Sequence, residues 1–430
     1  MAWDFSTDPD VAADLDWIRR MVVEEIEPLD LIRSRMSADN WRAVTDPLRQ
    51  QVKDRGLWAA HLDPALGGGG FGQVRLALMH EILGRTPSAP AIFGNQAPDS
   101  GNSELLAVGA SDAQKERWLW PLLDGRLTSS FSLTEPHTAG SDPTGIRTRA
   151  VRDGDDWVID GHKWFASNAR RADFVLVFAV TDPDADRHRR ASMFVVERDT
   201  PGMRIVRDVH TMHHPYDGDA TRNLGGHAEI RFEGCRVPDS HLIGAPGDAF
   251  VLAQKRLNGG RIHHTMRWIG QCRRAFDMLC ERAVSRHSHG RVLADHQLVQ
   301  QMVTESTIDI EALRLLTLKA AWTWDHEGPG AARQAVSQAK YRGARILHDV
   351  VDRAIQVHGA LGYSTDLPLE EMYRLARNFR LSDGADEVHV QQVAKLALRR
   401  YTPVEGWPSE HVPTRRAAAE SRYAQWLDRP

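Results

Sequence analysis

The stretch Phe131-Ser-Leu-Thr-Glu-Pro-His-Thr-Ala-Gly-Ser-Asp142 lies where the chain changes character. It carries hydroxyls, then a proline and a Gly-Ser-Asp turn. Hydroxyls and exposed N–H groups in such a turn can bind polar ring edges or phosphate oxygens. The same residues also make an ordinary structured turn, and this stretch alone does not separate the two readings. On its N-terminal side, from residue 9 to about 125, apolar residues recur at helical spacing: Val11, Leu15, Ile18 and Val22, then Leu76, Met79, Ile82 and Leu83. On its C-terminal side short β-prone runs follow: Trp157-Val-Ile, Phe174 to Val180, Ser192 to Val196 and Ala228 to Phe232. Asp153-Gly154, Asp160-Gly161 and Asp182-Pro183 punctuate them. The helical period returns over 248–285, 295–326, 331–358, 368–380 and 385–401. Helices, then strands, then helices predict an α+β fold with consecutive domains. These are an N-terminal α-helical domain (1–127), a middle antiparallel β domain (128–242) and a C-terminal helical domain (243–401). A polar tail with a terminal helix follows (402–430).

The bulk properties narrow the function. The chain has 430 residues, 42% hydrophobic and 26% charged, which suits a globular protein with two or three domains. A net charge of −4 argues against nucleic acid as the main partner. The three cysteines form no C-x-x-C pair, as expected in a reducing compartment. Met1-Ala-Trp-Asp-Phe5 has no basic and apolar leader pattern, and no apolar run is long enough for a membrane span, so a cytoplasmic location is expected.

Two patterns predict less than they suggest. Gly67-Gly-Gly-Gly-Phe-Gly72 satisfies G-x-G-x-x-G, but its surroundings are helical and no βαβ unit follows; a flexible loop between helices is expected. The histidine pairs His213-His214 and His263-His264 lack metal-ligand spacing, and adjacent residues of a helix point apart, so no metal site is expected.

Two further stretches carry chemistry. Gly161-His-Lys-Trp-Phe-Ala-Ser-Asn168 places aromatic faces and a hydroxyl on one strand, which suits a planar heterocycle or plain core packing. Arg380-Leu-Ser-Asp-Gly-Ala-Asp-Glu-Val-His389 joins two helical patterns. There Asp383 precedes Gly384, and a carboxylate and a backbone N–H can aim at one small volume, as a base with a nearby oxyanion donor requires. Acidic helix capping is the plainer alternative for this run.

The order of four motifs resembles the acyl-CoA dehydrogenase family of flavoproteins, from about residue 10 to 401. Leu133-Thr-Glu-Pro136 with Gly140-Ser-Asp142 resembles its first flavin motif, and Asp160 to Asn168 the second. Ser285-Arg-His-Ser-His-Gly290 with Asp295-His-Gln297 resembles the R-x-x-F-G and H-Q pair, and Gln356-Val-His-Gly-Ala-Leu-Gly362 the Q-x-x-G-G-x-G turn. The resemblance implies a C-terminal four-helix bundle and bound FAD. Phe131, Leu133 and Thr134 would meet the isoalloxazine edge. Gly140 and Ser141 would lie near the phosphates and substrate entrance, Phe165 beside the ring and Ser167 near N5. Arg286, Ser288, His296, Gln297, Gln356 and Gly359 would reach the FAD of a neighbouring subunit, with Ala385 and Glu387 also on the cofactor side. That implies a homodimer or homotetramer. His289 stands where the family usually has Phe.

Gly384 matches the glycine after the family's catalytic Glu, so Asp383 takes the position of the base. Another branch carries its Glu just before Arg261, where this chain has Gly260. The Asp, together with Gly260-Arg-Ile-His-His264 and Ala97-Pro-Asp-Ser-Gly-Asn102, is similar to the subgroup of family members ten and eleven. That subgroup is associated with long-chain and 4-hydroxyacyl substrates. Asn258, Arg261 and Gly384 would line the acyl-CoA thioester channel, with Lys395 towards its phosphate end. The implied reaction is α,β-dehydrogenation of an acyl-CoA, with electrons passed to an electron-transferring flavoprotein or similar acceptor. An FAD oxidase or monooxygenase on the same fold (nitroalkane-oxidase-like), or an inactive flavin-binding subunit, are the alternatives.

Overall fold

The computed structural model describes residues 6–213 and 226–428. The first helical layer comprises α1 (Pro9–Arg20), α2 (Glu27–Ile32), α3 (Ala38–Asp54), α4 (Gln73–Leu83), α5 (Ala89–Ile92), α6 (Asp99–Gly109), α7 (Asp112–Gln114) and α8 (Trp120–Leu123). Asp8 caps α1, its carboxylate accepting from Asp10 N at 3.1 Å, and Ser37 caps α3 in the same way through Asn40 N. Ile18, Val22 and Ile26 recur every four residues and form one core with Val52, Leu76, Met79, Leu83 and Phe93. The glycine run is not a loose loop. Gly70 N donates to Leu62 O at 2.8 Å and Phe71 N to Ala60 O at 2.9 Å, which folds it back on the preceding turn.

The middle layer is one sheet: β1 (Ser129–Ser132), β2 (Arg149–Asp153), β3 (Asp156–Ser167), β4 (Phe174–Val180), β5 (Ala191–Glu197), β6 (Met203–Val209), β7 (His227–Pro238) and β8 (Leu242–Ile243). Its order is β6-β7-β3-β2-β4-β5-β8, with β1 beside β4. The sheet is mixed rather than purely antiparallel, because β1 runs parallel to β4 over Ser129–Ser132, and Arg149 of β2 also pairs parallel with Val180. The β2–β3 hairpin intervenes between β1 and β4, so the chain returns to β4 in the same direction. β4 and β5 are buried on both faces. Phe174, Leu176 and Phe178 pack with Leu105, Trp118 and Leu252, while Val175, Val177 and Ala179 pack with Trp157 and Phe194. That explains their nearly unbroken apolar sequence.

The last layer contains α9 (Ala249–Ser285), a hairpin of β9 (His287–Ser288) and β10 (Arg291–Val292), α10 (Gln297–Glu327), α11 (Pro329–His358), α12 (Ala360–Tyr363), α13 (Leu369–Asn378), α14 (Asp386–Leu398) and the exposed α15 (Val412–Arg422). Met266, Ile269, Leu279, Leu313, Leu347 and Val350 form its core. α9 also crosses α4 at backbone contact. A Cβ at Gly84 would stand 2.2 Å from Arg267 O, and one at Gly270 would stand 2.1 Å from Glu81 O. Glu81 locks the crossing by accepting from Arg273 at 2.6 Å and from Arg314 at 2.9 Å. No helix of the described residues is long and apolar enough to cross a membrane.

Candidate active site

The turn between α13 and α14 is held from three helices. Lys340 of α11 donates to Phe379 O at 2.7 Å and to Gly384 O at 3.3 Å. Arg261 of α9 donates through Nε to Asp383 O at 3.3 Å. His389 of α14 is packed under Gly384, and burial, helped by nearby Lys340 and Arg261, pushes its imidazole down to about 4. These contacts hold Asp383 at φ 55° and Gly384 at φ 96°. A non-glycine residue with such a φ costs energy that the surroundings must supply, and Asp tolerates it better than most. Asp386, read as a capping acid, has another task. Its buried carboxylate takes Arg380 Nε at 2.9 Å and Arg345 Nη2 at 3.1 Å, and no side chain caps α14.

This turn opens on a cleft of 1580 Å³ shared by all three layers. Asp383, Gly384, Ala385, Arg261 and His264 line it from the C-terminal helices. Phe131, Leu133, Thr134, Gly140, Ser141, Phe165 and Ser167 line it from the sheet and its loops. The His264 Nε2 atom stands 3.5 Å from Asp383 Oδ2. Deeper in, the wall is polar. Arg267 donates to His80 Nδ1 at 3.1 Å, Gln96 Oε1 at 3.2 Å and Asn95 O at 2.5 Å. His61 bonds Asn95 Oδ1 at 3.0 Å. Burial lowers Arg267 to about 9 and His61 to about 4.

The sheet side is built on a buried ion pair. Lys163 of β3 donates to Glu135 Oε1 at 2.9 Å and to Leu133 O at 3.0 Å, and Glu135 also accepts from Arg147 N and Thr148 N. Lys163 N–H donors aside, the next residue, Trp164, donates its backbone N–H to Thr134 O at 3.0 Å. The β3–β7 register slips between Lys163 and Ala166, and Phe165 takes φ 51°. Such a bulge re-aims a side chain, and the Phe165 ring stands 41% exposed at the cleft wall. It leans on Trp164 and on His227, whose Nδ1 is 2.9 Å from Ser167 Oγ.

Other expected residues lie elsewhere in the same chain. Arg286 follows the last turn of α9, 22 residues from His264, ~33 Å at 1.5 Å per residue. Ser288 and His296 sit at the adjoining hairpin, where His296 Nε2 is 3.3 Å from Ser288 O, and Gln297 starts α10. Gln356 and Gly359 close α11. Glu387 and Lys395 are exposed on α14 and do not line the cleft. The side chain of Asn258 lies outside the described residues, as does His214. His264, His227, Arg267 and Lys340 were not singled out as site residues in sequence. The Gly260-Arg-Ile-His-His264 run was the available signal, since Arg261 and His264 share one helix face at i,i+3.

Three family models match consecutive parts of the chain: the acyl-CoA dehydrogenase N-terminal domain over 11–126, the middle domain over 130–233 and the C-terminal domain over 247–398. The chain is 42% identical over 360 residues to the probable acyl-CoA dehydrogenase FadE2 of Mycobacterium tuberculosis, covering 83% of this chain and 86% of that protein. It is 41% identical over 373 residues to acyl-CoA dehydrogenase family member 11 of Homo sapiens, covering 86% of this chain and 47% of that protein. The chain thus spans about half the length of the family member 11 relatives that it matches. A solved Mycobacterium abscessus protein assigned to the acyl-CoA dehydrogenases superposes with a TM-score of 0.86 at 35% identity, covering 93% of this chain and all of that one.

Proposed function

The chain belongs to the acyl-CoA dehydrogenase family, and on that premise we propose that it is an FAD-dependent acyl-CoA dehydrogenase whose base is Asp383. The observation that carries this reading is the placement of Asp383. Its carboxylate lines the cleft from a left-handed turn, while Phe165 and Ser167 line the same cleft from the sheet.

The residues fit FAD. The half-exposed Phe165 ring offers an apolar face to a planar ring system, with the Ser167 and Thr134 hydroxyls on the same wall. A Cβ at Gly140 would stand 3.3 Å from Thr134 Cγ2, so glycine keeps that approach open. Leu133 and Thr134 would hold the ring edge, and Gly140 and Ser141 the phosphate side. Bound FAD supplies the two-electron acceptor for the hydrogen leaving the β-carbon. Arg286, Ser288, His296, Gln297, Gln356 and Gly359 do not line this cleft in their own chain, which supports a shared site between two copies. Ala385 lines the cleft beside the base, whereas Glu387 and Lys395 gain no support from their positions.

Asp383 would take the α-proton on its carboxylate as the double bond forms. The backbone N–H groups of the same turn would receive the thioester oxygen, where a preorganised donor contributes about 3–4 kcal/mol. Arg261 would hold both the turn and the thioester channel. Arg267, Gln96, Asn95 and His61 line the same cleft, which puts hydroxylated acyl groups among the substrates to be tried. An electron-transferring flavoprotein is the acceptor that suits this reading.

The test is anaerobic flavin bleaching of the purified yellow protein by a panel of straight-chain and hydroxylated acyl-CoAs. Asp383→Asn is expected to keep FAD and lose reduction; undiminished bleaching in that variant sinks the assignment. The Asp base also admits an oxidase of small carbon acids. Rapid reoxidation of the reduced protein by oxygen, with no thioester bleaching, would favour that second reading.

A further inference from the structure

We propose that His264 is a positioning residue for the Asp383 base, an inference that rests on Asp383 being that base. Asp is shorter than Glu by one C–C bond, ~1.5 Å, and an offset of that size is large at near-attack distance. The turn conformation aims the side chain into the cleft, and what its carboxylate oxygens meet there sets their direction. His264 Nε2, 3.5 Å from Asp383 Oδ2, is placed to select one orientation.

The local sequence builds this contact. Arg261 and His264 stand three residues apart on α9 and face the same turn. Arg261 takes the backbone carbonyl of Asp383, and His264 meets its carboxylate. One helix face therefore grips one residue at two points. Gly260 lies a turn behind His264, and even an added Cβ there would come no nearer than 3.9 Å to the imidazole Cδ2. The adjacent His263 goes the other way. It stacks on His80 with ring centroids 4.6 Å apart and bonds Gln73 Oε1 at 3.1 Å. The two neighbouring histidines divide between core and site.

The experiment is a double-mutant cycle on the FAD-loaded protein, with His264→Phe and Asp383→Glu singly and together. The readout is single-turnover flavin reduction by the thioester that bleaches best. His264→Phe is expected to slow reduction on the order of 10²-fold, the scale of an ångström-sized misplacement, with KM, FAD content and melting temperature little changed. His264→Gln, which keeps a donor, should recover part of the rate. The longer acid should need less help, so the His264→Phe loss should shrink in the Asp383→Glu background. Independently of turnover, the imidazole ¹⁵N resonances of His264 should move on Asp383→Asn. An equal loss in both backgrounds, no loss at all, or unmoved resonances would overturn the proposal. If Asp383→Asn keeps full reduction, the base assignment itself has failed; if it abolishes reduction while His264→Phe changes nothing, only the role of His264 falls.

Discussion

The buried ammonium of Lys340 donates to the carbonyl oxygen of Gly384 at 3.3 Å, tying the middle of α11 to the residue that directly follows Asp383. The same ammonium reaches Phe379 O, so one cation closes both ends of the turn. Burial lowers Lys340 to about 8, opposed by the charges of Asp383 and Asp386. The cost of burying this charge is met where it shapes the candidate base.

Lys340→Met should therefore uncouple turn from bundle. Two carbonyls lose their donor, a penalty of about 1–3 kcal/mol for each buried group left unpaired. Denaturant unfolding should show that loss, and flavin reduction should slow while FAD remains bound. Wild-type reduction in a measurably destabilised Lys340→Met protein would show that the turn needs no such anchor.

A cofactor site shared between copies predicts subunit complementation. Asp383→Asn and Arg286→Glu chains should each be inactive alone. Co-expressed with separate tags and purified through both, a hybrid dimer carries one site with intact Asp383 and intact Arg286. Activity should return to that fraction. A hybrid as inactive as its parents would place Arg286 outside the cofactor site of the partner.

Acid should weaken the fold where its buried histidines resist charging, a loss that Asp99, raised to about 6 by burial, offsets only in part. Burial holds His61 and His389 at about 4, below the ordinary 6.5, and pushes His80 and His263 well below it. The folded state favours neutral rings, whereas the unfolded chain takes up protons near 6.5. This stability is fully present above that pH and is lost as pH falls from 6.5 towards 4. For one such histidine the loss is on the order of 1–3 kcal/mol. The melting temperature should drop across that window, and His61→Gln with His389→Gln should flatten the slope. A flat wild-type profile would contradict the burial of these rings as neutral groups.

Much of this protein was legible in its sequence because the signals are local. Helical period marked α1, α4 and the long C-terminal helices, and the runs in β3, β4, β5 and β7 were apolar enough to stand out. β1, β2 and β6 were not recognised. Met203-Arg-Ile-Val-Arg-Asp-Val209 mixes apolar with charged residues and is mostly exposed or half-buried, and its pairing with β7 makes it a strand. The run Ser129-Ser-Phe-Ser132 becomes a strand by lying parallel to β4, a contact across more than forty residues.

Layer order, family and the position of a candidate base are written along the chain, since motif order and residue spacing are local properties. What surrounds that base depends on how the helices pack. Arg261 and His264 share a face of α9, but Lys340 comes from α11 and His389 from α14, and no spacing in sequence brings those three helices together. The tertiary structure also separated the expected cofactor residues into a cleft-lining group on the sheet side and a distant group at the far end of the helical layer, because the continuous α9 carries Arg286 ~33 Å along its axis from the cleft-lining His264. Helix packing and the left-handed turn at Asp383, rather than any motif, give the short acid its direction.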